Sequence, residues 1–161
     1  MRIVSRSLRA LVIAGSAVYL MGATPQSQPS QFQTRRPIQF HLAENNPAPG
    51  LVSAPVKGET RILYLHPEVL LDDRDIRTAS AITDEMGRPA VEVHLTAAGV
   101  RKFNALIKGH ELTPLAIAAN NAVISAPIIE GVPLDDDVLA IHGALSADEA
   151  SSLAKALSMS H

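Results

Sequence analysis

His94 and His142, with Glu92 two residues before the first, are the side chains whose types could do chemistry together. Imidazole nitrogens and a carboxylate can bind borderline metals and exchange protons near neutral pH. Each histidine falls in an apolar run, residues 89–95 and 138–142, that reads as a strand. If those strands pair, both rings would share one face with Glu92. The activity such a trio would support is that of a small metal-assisted hydrolase. The simpler reading, three ordinary residues on the wet face of a sheet, takes precedence.

The other groupings lead less far. Asp135, Asp136 and Asp137, with Glu130 nearby, offer oxygens to a hard cation such as Ca²⁺. Consecutive side chains diverge, however, and the Asp, Asn and Gly pattern of a calcium loop is missing, so a solvated acidic turn is expected. Ser125 precedes Ala126-Pro127 and lies in no Gly-x-Ser-x-Gly elbow. The sequence has no glycine-rich phosphate loop and no His-Glu-x-x-His run. His66 and His110 sit in loop-like sequence without an evident partner, and Asn120-Asn121 reads as a turn. With no cysteine at all, thiol catalysis, disulfides and Cys-based zinc sites are excluded. No catalytic, cofactor-binding or metal-ligating residue is therefore assigned, and the expectation is a non-enzyme without a cofactor.

Composition narrows the partners. The net charge is −2, so no basic field awaits a phosphate backbone. Aromatic residues make up 3% and there is no Trp, which argues against base stacking. Nucleic acid is not an expected partner. The hydrophobic fraction of 47% against 19% charged is enough for a folded core.

The elements that must position these residues begin well inside the chain. Arg2, Arg6 and Arg9 precede an uncharged run, residues 10–23, which ends in small residues. This is the pattern of a secretory signal peptide, with cleavage expected after Ala23. The run is short against the roughly 20 residues of a membrane-spanning helix, so membrane contact is expected only through an uncleaved signal segment. Residues 24–58 are rich in Gln, Pro, Ser and Asn and read as a flexible tether. Within them, residues 37–42 alternate apolar and polar, as in a strand added to a sheet edge.

The folded domain is expected over residues 59–161. Residues 61–65 read as a strand, Asp72-Asp73 as a turn, and residues 75–84 as a strand joined through Gly87 to the clearest strand, 89–95. There Val91, Val93 and Leu95 point one way while Glu92 and His94 point the other. Thr96 caps a helix with Val100, Phe103, Leu106 and Ile107 on its buried stripe, ended by Gly109 in a left-handed cap. Residues 113–119 and 122–126 form a hairpin through Asn120-Asn121. Residues 138–142 are the last strand. Ser146 and Glu149 make a capping box for a final helix that buries Ala150, Leu153, Ala154 and Leu157. The fold class is α+β: an antiparallel sheet with two helices packed on one face, ferredoxin-like.

The segments from residue 62 to residue 157 resemble, in order and spacing, the large periplasmic domain of SecD, a subunit of the bacterial protein-export machinery. Residues 89–99 are similar to that domain's passage from strand to helix. Residues 115–118 with 123–127 resemble its hairpin, and residues 141–150 with Leu153, Ala154 and Leu157 its closing strand and helix. Asp75-Ile76 with Ala79 is similar to the segment leading into it. Two departures stand out. The family's hairpin turns through Asp-Gly where this chain has Asn120-Asn121, and nothing after Ala23 could span a bilayer as SecD's proton-coupling helices do. The resemblance implies a stand-alone head subdomain in the periplasm. It would be a binding module for exported or unfolded polypeptide, or for the export machinery, with strand addition at a sheet edge as its physical route.

Overall fold

The computed structural model describes residues 32–160. The signal-peptide expectation for residues 1–23, and the tether up to residue 31, lie outside the described residues. Nine strands and two helices follow one another as β1 Gln39–Glu44, β2 Val52–Pro55, β3 Ile62–Leu65, β4 Leu71–Asp72, β5 Ile76–Thr83, β6 Pro89–Leu95, α1 Ala97–Ile107, β7 Leu115–Ala119, β8 Ala122–Ser125, β9 Val138–His142 and α2 Ala147–Ser158. A single-turn 3-10 helix, Asp73–Asp75, joins β4 to β5. No helix among the described residues is long and apolar enough to cross a membrane.

The strands divide between two antiparallel sheets, where the sequence led us to expect one ferredoxin-like sheet. The first runs β2-β3-β1-β7-β8 with β4 also paired to β1; the second runs β5-β6-β9. The first sheet curls on itself, because its outer strands meet through a parallel bridge between Val56 and Val123. Lys57 N–H donates to the Val123 carbonyl there at 2.8 Å. The sheets touch where β9 ends: Ala144 N–H donates to the Ile124 carbonyl at 3.3 Å. A Cβ on Gly143 would stand 2.1 Å from that same oxygen, so only glycine lets the chains approach there.

The tether expectation for residues 24–58 does not hold across its described part, since β1 and β2 lie within it. Nor is β1 an edge strand; it pairs with β3 and β4 on one side and β7 on the other. Phe40 of β1, and Ile38 just before it, enter the main core. Gln39 and His41, the polar residues of that alternation, are buried as well. They line the inner side of the curl, beneath residues 32–36. Phe32 N–H donates to the Ser53 carbonyl at 3.1 Å. Its ring meets His41 edge-on at 5.4 Å. Thr34 hydrogen-bonds Asn121 at 2.8 Å, and Arg36 grips Asp73 through Nε at 2.6 Å and a second guanidinium nitrogen at 2.9 Å.

Most local readings match the structure. Asn120 and Asn121 take φ of 52° and 63°, the conformation a tight hairpin turn needs. Thr96 Oγ1 accepts from Gly99 N–H at 3.0 Å. Ser146 and Glu149 form the reciprocal capping box, and Ala150, Leu153, Ala154 and Leu157 are buried. Gly109 does not serve as a left-handed cap, since its φ is not positive; the next residue after α1 with positive φ is Leu112, at 63°. His110 Nδ1 instead satisfies the Leu106 carbonyl at 2.9 Å. Helix α2 lies across β5 and β6, whereas α1 lies against the 3-10 turn, β4 and β6. Both helices contribute to one core cluster with residues from both sheets. A second, smaller cluster of Ala43, Ala54, Val56, Leu63, Leu65, Ala116 and Val123 fills the curl.

Candidate functional site

Strands β6 and β9 do pair, with Ala90 opposite His142 and His94 opposite Val138. The register places the two histidines on one face but four residues apart along β6, about 13 Å. Each instead sits near its own carboxylate. His94 lies 3.4 Å from Asp137 and 3.7 Å from Glu92, and His142 lies 3.5 Å from Asp84. Among the described residues no group of three or more His, Cys, Asp or Glu is placed to hold a metal ion. The acidic run is likewise split. Asp136 accepts from Val138 N–H at 3.1 Å, and Asp137 pairs with Arg77 across the sheet.

Of the most constrained ionisable groups, the sequence marked Asp72 and Asp73 only as a turn and Glu149 only as part of a helix cap. Asp73 and Asp75 in the 3-10 turn, and Asp72 that caps its start, are all buried. Arg74 bonds Asp72 and holds its carboxyl below the usual range. Lys102, itself exposed on α1, places Nζ 2.7 Å from Asp75. Asp75 in turn accepts from the Asp72 N–H at 3.2 Å. Three acids within four residues were visible, but that Arg36 and Lys102 would close over them depends on long-range packing. Asp84 is held low first by the Arg88 N–H, with the Arg88 guanidinium and Met86 N–H adding to it. Glu149 is pulled down to about 2, chiefly by Lys57. Each such group joins two elements.

What remains open is backbone. Strand β5 is an outer strand of its sheet. Its pairing with β6 matches Thr78 to His94, Ser80 to Glu92 and Ile82 to Ala90, with Ala79, Ala81 and Thr83 opposite Val93, Val91 and Pro89. In antiparallel pairs the residues that bond the partner strand alternate with those that face away. The Ala79 carbonyl is turned outward, because Ser158 Oγ donates to it at 3.1 Å. The same alternation turns the backbone of Ala81 and Thr83 to the open edge, and Pro89, opposite Thr83, has no N–H to give. Arg77 and a register irregularity between Ile76 and Thr78 blunt the start of β5, but from Thr78 to Thr83 the pairing is regular, with no Lys, Arg or Pro.

These features define a class, a small mixed α/β module of curled antiparallel sheets and two helices. The chain belongs to the family of the SecDF P1 head subdomain, whose sequence profile matches residues 51–160. It is 33% identical over 88 residues to the protein translocase subunit SecDF of Thermus thermophilus, a match covering 55% of this chain and 12% of that one. It is 36% identical over 80 residues to the protein translocase subunit SecD of Rhodobacter capsulatus, covering 50% of this chain and 14% of that one. The chain thus spans only a small part of the length of these relatives. Among solved structures, SecDF in its super-membrane-facing form shares the fold with a TM-score of 0.61 at 23% identity, over 75% of this chain and 18% of that one. A structure of SecDF described as a membrane component that enhances protein export gives a TM-score of 0.59 at 21% identity, over 75% of this chain and 61% of that one. Strand β1 precedes the matched region, so the central strand of the first sheet lies outside the family profile.

Proposed function

We propose that this chain is a non-catalytic module that holds extended polypeptide outside the inner membrane in support of protein export. Residues 1–23 would serve as its signal segment, and its site of action would be the periplasm. Family membership supports the link to export, and the match to a component that enhances protein export points the same way. The observation that carries the binding step is the open edge of β5, where Ala81 and Thr83 present backbone groups and Ser158 engages the Ala79 carbonyl. An extended segment laid along that edge would form main-chain hydrogen bonds whatever its sequence, as a binder of many different clients requires.

The hydrolase reading has no comparable support, because His94 and His142 are held apart and each faces a different carboxylate.

The test is Ala81→Pro. The N–H it removes points away from β6, so the β5–β6 ladder stays intact, while proline's ring blocks pairing on the outer side. The full chain should bind a reduced, alkylated, permanently unfolded protein, and the variant should bind it at least about tenfold more weakly. Equal binding by the two, or none by either, would remove the proposal.

A further inference from the structure

A second surface lies beside the other outer strand. Between α1, β9 and the loop that follows β8 there is a groove of about 330 Å³, walled by Phe103, Ile107, Leu115, Ile129, Leu134 and Leu139. Apolar side chains continue out of it into solvent. Ile128 is 51% exposed, Val132 70% and Leu112 83%. Leu112 also has φ of 63°, so the backbone spends conformational free energy to hold an aliphatic side chain in water. Ala140 lines the groove too. Asp137 bonds back to Leu95 in β6, so by the alternation of the ladder Ala140 turns its N–H and C=O outward on this side.

The mouth is acidic. Glu130 lines it, and Glu111 Cγ lies 2.8 Å from where a Cβ on the lining residue Gly131 would be. Asp135 and Asp136 follow Leu134 directly. None of these four carboxylates forms an ion pair among the described residues; Asp136 accepts only the Val138 N–H. Lys108 is the sole Lys or Arg between residues 108 and 136. An aliphatic floor with unpartnered backbone and a rim of uncompensated negative charge has one complementary ligand chemistry.

We infer that this groove receives a short apolar stretch of a partner polypeptide flanked by Lys or Arg. The apolar residues would cover Leu112, Ile128 and Val132, the extended backbone would meet Ala140, and the flanking cations would meet Glu111, Glu130, Asp135 and Asp136. The inference rests on the polypeptide-binding reading above but uses a different surface, and it adds a selectivity that the β5 edge lacks.

Three labelled peptides test it on the full chain by fluorescence anisotropy. They share an apolar heptad of Leu, Val and Ala and carry two Lys, two Ser or two Glu at each end. The Lys-flanked peptide should bind at least about tenfold tighter than the Glu-flanked one at low salt, with the ratio falling toward one as salt screens the rim. Val132→Lys should abolish binding, and Glu111→Lys with Glu130→Lys should reverse the order of the peptides. All three positions are exposed, so unfolding midpoints should stay near wild type. Equal affinity for the Lys and Glu flanks, or wild-type binding by Val132→Lys, would overturn the inference. So would crosslinks showing this chain's own residues 1–23 in the groove, or self-association relieved by Val132→Lys, because the occupant would then be this protein. Ala81→Pro separates the two surfaces. Loss of the Lys-flanked peptide in that variant, with retention in Val132→Lys, overturns the groove and leaves the β5 edge. The peptide order expected here, with unfolded-protein binding unchanged by Ala81→Pro, supports the groove and overturns the edge.

Discussion

The backbone of Gly99 in α1 lies against Asp75 so closely that a Cβ there would stand 2.4 Å from the Asp75 carbonyl oxygen. That oxygen also accepts the Thr96 N–H at 2.8 Å, so the first turn of α1 is seated on the 3-10 turn. Glycine inside a helix ordinarily costs about 1 kcal/mol relative to alanine. Here the sign reverses. Gly99→Ala should destabilise the domain by about 1–3 kcal/mol, the cost of an overpacked contact against backbone that cannot step aside. Gly109→Ala, which meets open space, should be close to neutral. Urea unfolding of the two variants side by side checks the contrast.

Arg36 and Arg61 both pair with carboxylates, yet they should differ in weight. Arg61 and Glu59 are an exposed pair, 45% and 49% accessible, and Arg61→Ala should cost no more than about 1 kcal/mol. The Asp73 carboxylate is 2% accessible, and losing Arg36 strands it. Arg36→Ala should cost about 1–3 kcal/mol. It should also speed hydrogen exchange at Phe32 and Thr34, whose segment Arg36 ties down.

His41 predicts a pH dependence. It is 3% exposed, its Nδ1 donates to the His66 carbonyl at 2.9 Å, and burial holds its pKa below the usual value of 6.5 against the pull of the His66 and Glu68 carbonyls. Because the folded pKa is the lower one, the unfolded chain takes up the proton first. The contribution is full above 6.5 and is lost as pH falls from there toward the folded value. His41→Asn should flatten the part of the stability curve below pH 6.5 that this ring supplies. An unchanged slope would show that His41 does not titrate on unfolding.

Glu149 acts at lower pH. Its pKa is 4.5 when free and about 2 when folded, with Lys57 the main cause and the Ser146 cap the next. A depressed carboxylate contributes above its unfolded pKa and loses that contribution as pH falls through its folded one. Stability should therefore decline between pH 4.5 and 2, and Glu149→Gln should remove that portion of the decline. Acid titration followed by far-UV circular dichroism checks it.

Leu153 sits on the buried stripe of α2, inside the main core. Leu153→Ala should cost about 2–5 kcal/mol by opening a cavity. Ser146→Ala should cost about 1 kcal/mol by leaving the Glu149 N–H without its acceptor. Thermal melts of both rank the cap against the core.

Local signals carried the sequence reading far from residue 61 onward. The capping box of α2, the alternation of β6, the Asn120-Asn121 turn and the stripe of α1 depend on neighbours within a few positions, and the structure has them all. The reading failed where a residue's environment comes from far away. The alternating run that holds Gln39 and His41 looked like a strand added to a sheet edge, because a polar side chain carries no mark of what will cover it. Gly109 looked like a cap, but a carbonyl at that end found the His110 ring instead.

The amino-acid order by itself determined most of the helices and strands from residue 61 onward, where most of them turn, which face they bury, and the family to which the chain belongs. Only the tertiary structure decided that the strands form two sheets rather than one, that β1 is central, that His94 and His142 stand apart, and that the edge of β5 and the acid-rimmed groove beside β9 remain open. The physical reason is range. Periodicity and capping are energies between residues a few positions apart, whereas sheet order, burial of a polar face and exposure of an edge are settled by contacts between residues such as Arg36 and Asp73 or Val56 and Val123, far apart along the chain.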